Sequence, residues 1–173
     1  MQNEKYKSIK LVLLLFIASC FLLSSLNGSA QETVLKVGVS IDSVPKNLYG
    51  AWRVSSKLIS TNSEGTFKEN NIDLWNLSRV NNVITLDNPF SKAHASITLD
   101  EVSGGFIKFK KIGDYDNKKL TDTVELTLQK ETFKGVNTLK LDTISEVDGH
   151  VLKTQWATYS IKGEKISGDN IKE

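Results

Sequence analysis

The chain has 173 residues, with 22 Lys and Arg against 20 Asp and Glu and a single cysteine. That length is one domain by default, and a formal charge of +2 lacks the strongly basic balance of a nucleic-acid-binding module. One cysteine forms no intrachain disulfide, so an apolar core has to hold the fold, and a domain of about 150 residues buries roughly 70% of its unfolded surface.

Residues 1–30 read as a secretory signal peptide. Lys5, Lys7 and Lys10 precede an apolar run, Leu11 to Leu26, of 16 residues, shorter than the about 20 that span a bilayer. Small residues at Gly28 and Ala30 place cleavage after Ala30. A rival reading is acylation: Ile17-Ala18-Ser19-Cys20 has the form of a bacterial lipobox, although Phe21-Leu22-Leu23 continues the apolar run beyond it. The expected localisation is periplasmic or secreted, with a lipoprotein anchored through Cys20 as the alternative. No membrane span is expected in the mature chain, and membrane attachment only if Cys20 is acylated. Cleavage removes three lysines, one glutamate and the cysteine, leaving 19 basic and 19 acidic side chains. The basic balance therefore belongs to the signal, and no nucleic acid is expected as partner.

Residues 31–173 read as a single antiparallel β domain. Period-two alternation marks half-buried strands. It is clearest at Thr33–Ile41, at Lys92–Asp100 (Ala93, Ala95, Ile97 and Leu99 inward, His94 outward) and at Leu120–Gln129. In the last, Leu120, Val124, Leu126 and Leu128 face one way, while Thr121, Thr123, Glu125, Thr127 and Gln129 face the other. Further strands are expected at Tyr49–Ser60, Asp73–Val80, Asn82–Leu86, Gly105–Ile112, Thr132–Ile144 and Val151–Lys162. Turn chemistry separates them, as at Asn81-Asn82, Ser103-Gly104-Gly105, Asp114 to Asn117 and Asp148-Gly149. Pro45 begins a short turn, and the polar tail Gly163–Glu173 is expected to fray. Short strands at this spacing predict an all-β fold, a small antiparallel up-and-down barrel or sandwich of about 8–9 strands.

Catalytic motifs are not found. There is no Gly-x-Ser-x-Gly elbow and no phosphate-cradling glycine loop. His94 and His150 lack metal-ligand spacing. Asp114, Asp116 and Asn117 lack the remaining positions of a calcium loop. No catalytic residue, metal ligand or cofactor is assigned. Lys108, Lys110 and Lys111 form the densest basic cluster and read as a solvated strand surface.

The aromatic residues carry more. Gly50-Ala51-Trp52 resembles the Gly-x-Trp that opens the first strand of lipocalins and other calycin-type barrels. Thr154-Gln155-Trp156-Ala157-Thr158-Tyr159 loosely resembles the family's second motif, with Gln155 in place of its aspartate and Trp156 in place of its first tyrosine. The resemblance implies a barrel with the Trp52 indole closing one end. The family's arginine that stacks on this tryptophan is missing, since no arginine follows Arg79; Lys162 and Lys165 are the cations available near the C-terminus. On this basis Trp52, Trp75, Trp156 and Tyr159 are the candidate ligand-binding residues. Val54, Leu58, Ile97, Phe109, Leu126 and Leu139 are expected to line a cavity. The expected function is an exported bacterial lipocalin-like barrel that binds a small apolar or amphipathic molecule. The alternative is a non-enzymatic cell-envelope domain that meets an envelope protein through a strand edge or a surface patch near Trp75.

Overall fold

In the computed structural model, which describes residues 39–168 and 170–172, the alternating segments become strands of one sheet. They are β1 Gly50–Thr61, β2 Asn70–Val80, β3 Val83–Asn88, β4 Ala93–Ser96, β5 Thr98–Ser103, β6 Phe106–Tyr115, β7 Lys118–Gln129, β8 Thr132–Ile144, β9 Val151–Ser167 and β10 Asn170–Lys172. Strand order is β4-β3-β2-β1-β9-β8-β7-β6-β5. Each of β1 to β9 pairs antiparallel with its neighbours. Because β9 returns to pair with β1, the meander curls on itself into a nearly closed barrel and not a sandwich. Four hairpins turn on two residues, with positive φ at Asn81, Gly104, Asp116 and Lys130, the geometry that matches strand twist. Asp116-Asn117, one of the oxygen-rich candidates of the sequence, is such a turn.

Closure is incomplete at one seam. β4 pairs with β3, and β5 pairs with β6. Between them Ile97 donates its amide to the Ile84 carbonyl at 2.9 Å, so β4 and β5 act as halves of one bent strand shared by both sides. The pairing of β6 with β5 stops at Lys110. Lys111 to Tyr115 therefore have a ladder partner only in β7.

The opposite end of the barrel is plugged. Two single-turn 3-10 segments, Ile41–Ser43 and Lys46–Leu48, lead into β1, the second just after Pro45. Leu48, the last residue of the second, is fully buried, as are Tyr49 and Trp52 after it. The Trp52 Nε1–H donates to the Leu48 carbonyl at 2.8 Å. Arg79 of β2 binds Asp42 at 2.6 Å, and Asn47 donates to the Lys130 carbonyl at 2.8 Å. Above the plug, Val54, Leu77, Ile84, Leu86, Ile107, Phe109, Val124, Leu126, Phe133 and Ile161 fill the lower interior.

Three expectations change. The signal segment, the cleavage site after Ala30 and Cys20 lie outside the described residues, as do residues 33–38 of the first expected strand. Where that strand was to end, Ile41–Ser43 is instead a 3-10 turn, held by the Ser40 side chain accepting from the Asp42 amide. The tail is not frayed through its first half. β9 runs to Ser167, paired with β1 as far as Ala51, and β10 adds to β2 in parallel beside Ser78–Val80, the edge that β1 leaves vacant. Among the described residues no helix is long and apolar enough to cross a membrane.

The outer wall carries one carboxylate with a clear pH consequence. Asp142 on β8 sits opposite Thr154 of β9. It accepts from Lys140 at 2.6 Å and from the Thr154 hydroxyl at 2.6 Å. The Lys140 bond, reinforced by Thr154, holds its carboxyl below the usual carboxylate range. A lowered folded-state pKa stabilises the fold above the unfolded value, about 3.9, and that contribution disappears as pH falls through the lower folded value. Asp142→Asn is therefore expected to be less stable than the parent at pH 7. The gap should shrink as both are taken to pH 3, as read from urea midpoints. A gap independent of pH would show that the ionised carboxylate contributes nothing.

Candidate ligand-binding site

Beyond the plug the interior changes character. On β2 the inward positions run Leu77, Trp75, Asp73, Asn71; on β7 they run Leu128, Leu126, Val124, Asp122, Leu120. In both, period two keeps these residues on one face, and the far half of that face is polar. The antiparallel register brings these halves together. Trp75 stands level with Trp52, and Asn71 with Ser56; Lys111 is opposite Asp122. The result is a cavity of about 300 Å³ at the barrel mouth, lined by Asp73, Trp75, Asn88, Lys111, Asp122, Asn137 and Tyr159, among others. A second hollow, of about 530 Å³, lies along the seam between β4 and β6 and shares Ala93, Lys111, Tyr115, Leu120 and Asp122 with the first. The mouth thus has a lateral slit.

Two polar groups organise the walls. Asp122 is 5% exposed and Asn137 7%. Lys111 reaches Asp122 at 3.0 Å, and the Asn137 amide donates to the other carboxylate oxygen of Asp122 and to the Thr123 carbonyl at 3.3 Å. A buried carboxylate needs such partners, since desolvation otherwise penalises its charge. The second group is centred on Asp73. Its carboxylate accepts from Asn71 and, at 3.0 Å, from Asn88. The Asn88 side-chain oxygen in turn accepts the backbone amides of Phe90 and Ser91 at 3.0 and 3.2 Å, so the β3–β4 loop fixes which end of the carboxamide faces Asp73.

The four candidate residues separate. Trp75 and Tyr159, each 6% exposed, line the cavity. The Trp75 ring also stacks on Phe133 with centroids 6.0 Å apart, joining the cavity wall to the core. Its burial keeps the Trp75 ring itself out of any exposed patch, whereas Ile72 on the same strand is exposed. Trp52 lies lower, in the plug, tilted against Phe133 at 5.1 Å, with the Lys165 ammonium 5.6 Å from its ring centroid. Lys165 also donates to the Asn47 carbonyl at 2.9 Å. Trp156 alternates with Ala157 and Tyr159 on β9 and falls on the outer face opposite Lys140; it is not among the residues lining the cavity. Of the six apolar residues expected to line a cavity, only Leu139 does so. Val54, Phe109 and Leu126 are fully buried in packed core, and Leu58 and Ile97 pack against it.

The segment from Thr154 to Tyr159 also ties down a loop. Gln155 donates to the Ser63 hydroxyl and, at 2.8 Å, to the Thr66 hydroxyl. The Trp156 amide donates to the Asn62 side chain at 2.7 Å. Tyr159 donates its phenol to the Lys68 carbonyl at 3.0 Å, and burial pushes that phenol's pKa up, keeping it a neutral donor. Together these bonds strap the β1–β2 loop to β9, and the loop's Phe67 then forms part of the cavity rim.

The sequence reading missed Asp122, Lys111, Asn137 and the Asp73 group. The first two were legible: Asp122 interrupts the apolar face Leu120-x-x-x-Val124, and Lys111 has the parity of Ile107 and Phe109, whereas Lys108 and Lys110 point outward to Glu125 and Asp100. His94 is exposed beside Asp87, and His150 is exposed beside Asp148. No family model, curated protein or solved structure matches this chain.

Proposed function

We propose that the protein is an exported bacterial lipocalin-like barrel whose mouth cavity binds a small amphipathic molecule. The observation that carries this reading is the division of the interior. The lower half is packed with side chains and plugged, while the upper half holds a cavity with a polar wall and an aromatic floor. Ligand sites commonly take that form, a mostly apolar concavity with a few placed polar groups, and about 300 Å³ is at the small end of their range. Family membership is supported by Gly50 at the start of β1, by Trp52 beneath the 3-10 turns, and by Lys165 over the indole where the family carries an arginine. A lysine there supplies charge without the planar stacking surface. Export is supported by the run from Lys5 to Ala30. A purely apolar ligand is disfavoured, because it would leave Asp73, Asp122 and Lys111 desolvated without new partners.

The reading is tested with 3-(2-hydroxyethyl)indole, a neutral molecule with one ring system and one polar end. Calorimetric titration is expected to give saturable binding to the parent protein. Binding should be lost in Leu139→Trp, which fills the cavity, provided its circular dichroism matches the parent. Undiminished binding by folded Leu139→Trp would exclude the mouth cavity as the site.

A further inference from the structure

The two carboxylates of the cavity are not equivalent. Asp122 is neutralised by Lys111 at 3.0 Å. Asp73 has only amide partners, Asn71 and Asn88, and among the described residues no lysine, arginine or histidine nitrogen lies within 4.0 Å of it. A carboxylate offers about four acceptor positions, and two neutral donors leave it with full charge and spare lone pairs. Lys68, also at the cavity, is an exposed rim residue whose carbonyl is engaged by Tyr159.

The charge is also held in place. Asn88 is fixed by two loop amides and holds Asp73 in place before any ligand arrives. Two aromatic rings line the same cavity, Trp75, which follows Asp73 by two residues on the same inward face, and Tyr159. A carboxylate beside aromatic faces suits a cation attached to an apolar body: the ammonium takes charge-assisted hydrogen bonds, and the rings attract it through their quadrupoles.

We propose that the mouth cavity is selective for small organic ammonium compounds, with Asp73 as the anion that receives the ammonium and Trp75 and Tyr159 as the walls around its apolar part. This rests on the ligand-binding reading of the same cavity and specifies the class of ligand. An organic anion would face Asp73 unscreened, and the cations open to it are Lys111, already bound to Asp122, and Lys68 at the exposed rim. A neutral analogue would fit but leave the Asp73 charge uncompensated.

Three probes sharing one ring separate the two readings: tryptamine (cationic at pH 7), 3-(2-hydroxyethyl)indole (neutral) and indole-3-propionate (anionic). Calorimetry on the purified protein is expected to give tryptamine the highest affinity, about tenfold over the alcohol, corresponding to about 1.4 kcal/mol, with the propionate weakest. Asp73→Asn should remove the preference while still binding the alcohol, and Asp73→Glu should restore part of it. If tryptamine binds no tighter than the alcohol, or Asp73→Asn keeps the preference, ammonium selectivity is overturned and the cavity reading stands. If none of the three binds, both fall.

Discussion

Trp52→Ala is expected to lower the stability of the barrel by about 4 kcal/mol, the usual range for truncating a fully buried tryptophan. Three contacts are lost together. The indole fills the space beside Phe133 at 5.1 Å, donates to the Leu48 carbonyl at 2.8 Å and lies under the Lys165 ammonium. The first loss leaves a cavity in the lower core. The second leaves a buried acceptor unpaired at the end of the 3-10 turn, which costs about 1–3 kcal/mol on its own. The third frees Lys165 from its ring. Trp52→Phe separates these effects, since it keeps most of the volume and loses the hydrogen bond. Urea unfolding at constant m-value reads both variants. A loss below about 1 kcal/mol for Trp52→Ala would contradict the role given to the indole as the plug of the closed end.

Gly135→Ala is expected to cost about 3 kcal/mol, at the upper end of what a single added methyl does in a packed interior. A Cβ at this position would lie 2.0 Å from the Glu125 carbonyl oxygen and 2.8 Å from the Leu126 Cα. Both atoms belong to the backbone of β7, so no side-chain rotation relieves the clash; the two strands have to part where they are paired. Gly104→Ala is the matched comparison. Its Cβ would meet nothing within 4 Å, and only its φ of +59° is unfavourable, which costs about 1 kcal/mol. If the two variants are equally stable, the close approach of β8 to β7 is not what requires glycine at position 135.

How far the sequence disclosed this architecture depends on what each feature needed. Strand β8 has the expected limits, Thr132–Ile144, because its ends are set by local turn chemistry. The 3-10 plug was legible only as a turn after Pro45, since its placement depends on long-range contacts, Asp42 with Arg79 and Asn47 with the Lys130 carbonyl. The cavity was misplaced for a related reason. Val54, Phe109 and Leu126 alternate correctly and do point inward, but which level of a barrel is filled depends on how large side chains from different strands meet. Trp52, Phe109 and Phe133 fill the lower level, which the pattern of any one strand does not reveal. The polar level was half visible: the parity of Asp122 and Lys111 is local, but the meeting of Asp73 with Asn88 depends on the pairing of β2 with β3. Trp156 shows the same limit in reverse. Its neighbourhood resembled a ligand motif, yet strand alternation sends it to the outer wall while Tyr159 faces the cavity, and Gln155 and the Trp156 amide strap the β1–β2 loop.

The most direct test of the account is where a bound small molecule lies. Nuclear Overhauser contacts from 3-(2-hydroxyethyl)indole to the isotope-labelled protein are predicted to reach Trp75, Leu139 and Tyr159, the cavity-lining groups of the upper interior. Contacts only to exposed residues of the outer surface, such as Ile72 or Leu152, would contradict a ligand-binding mouth.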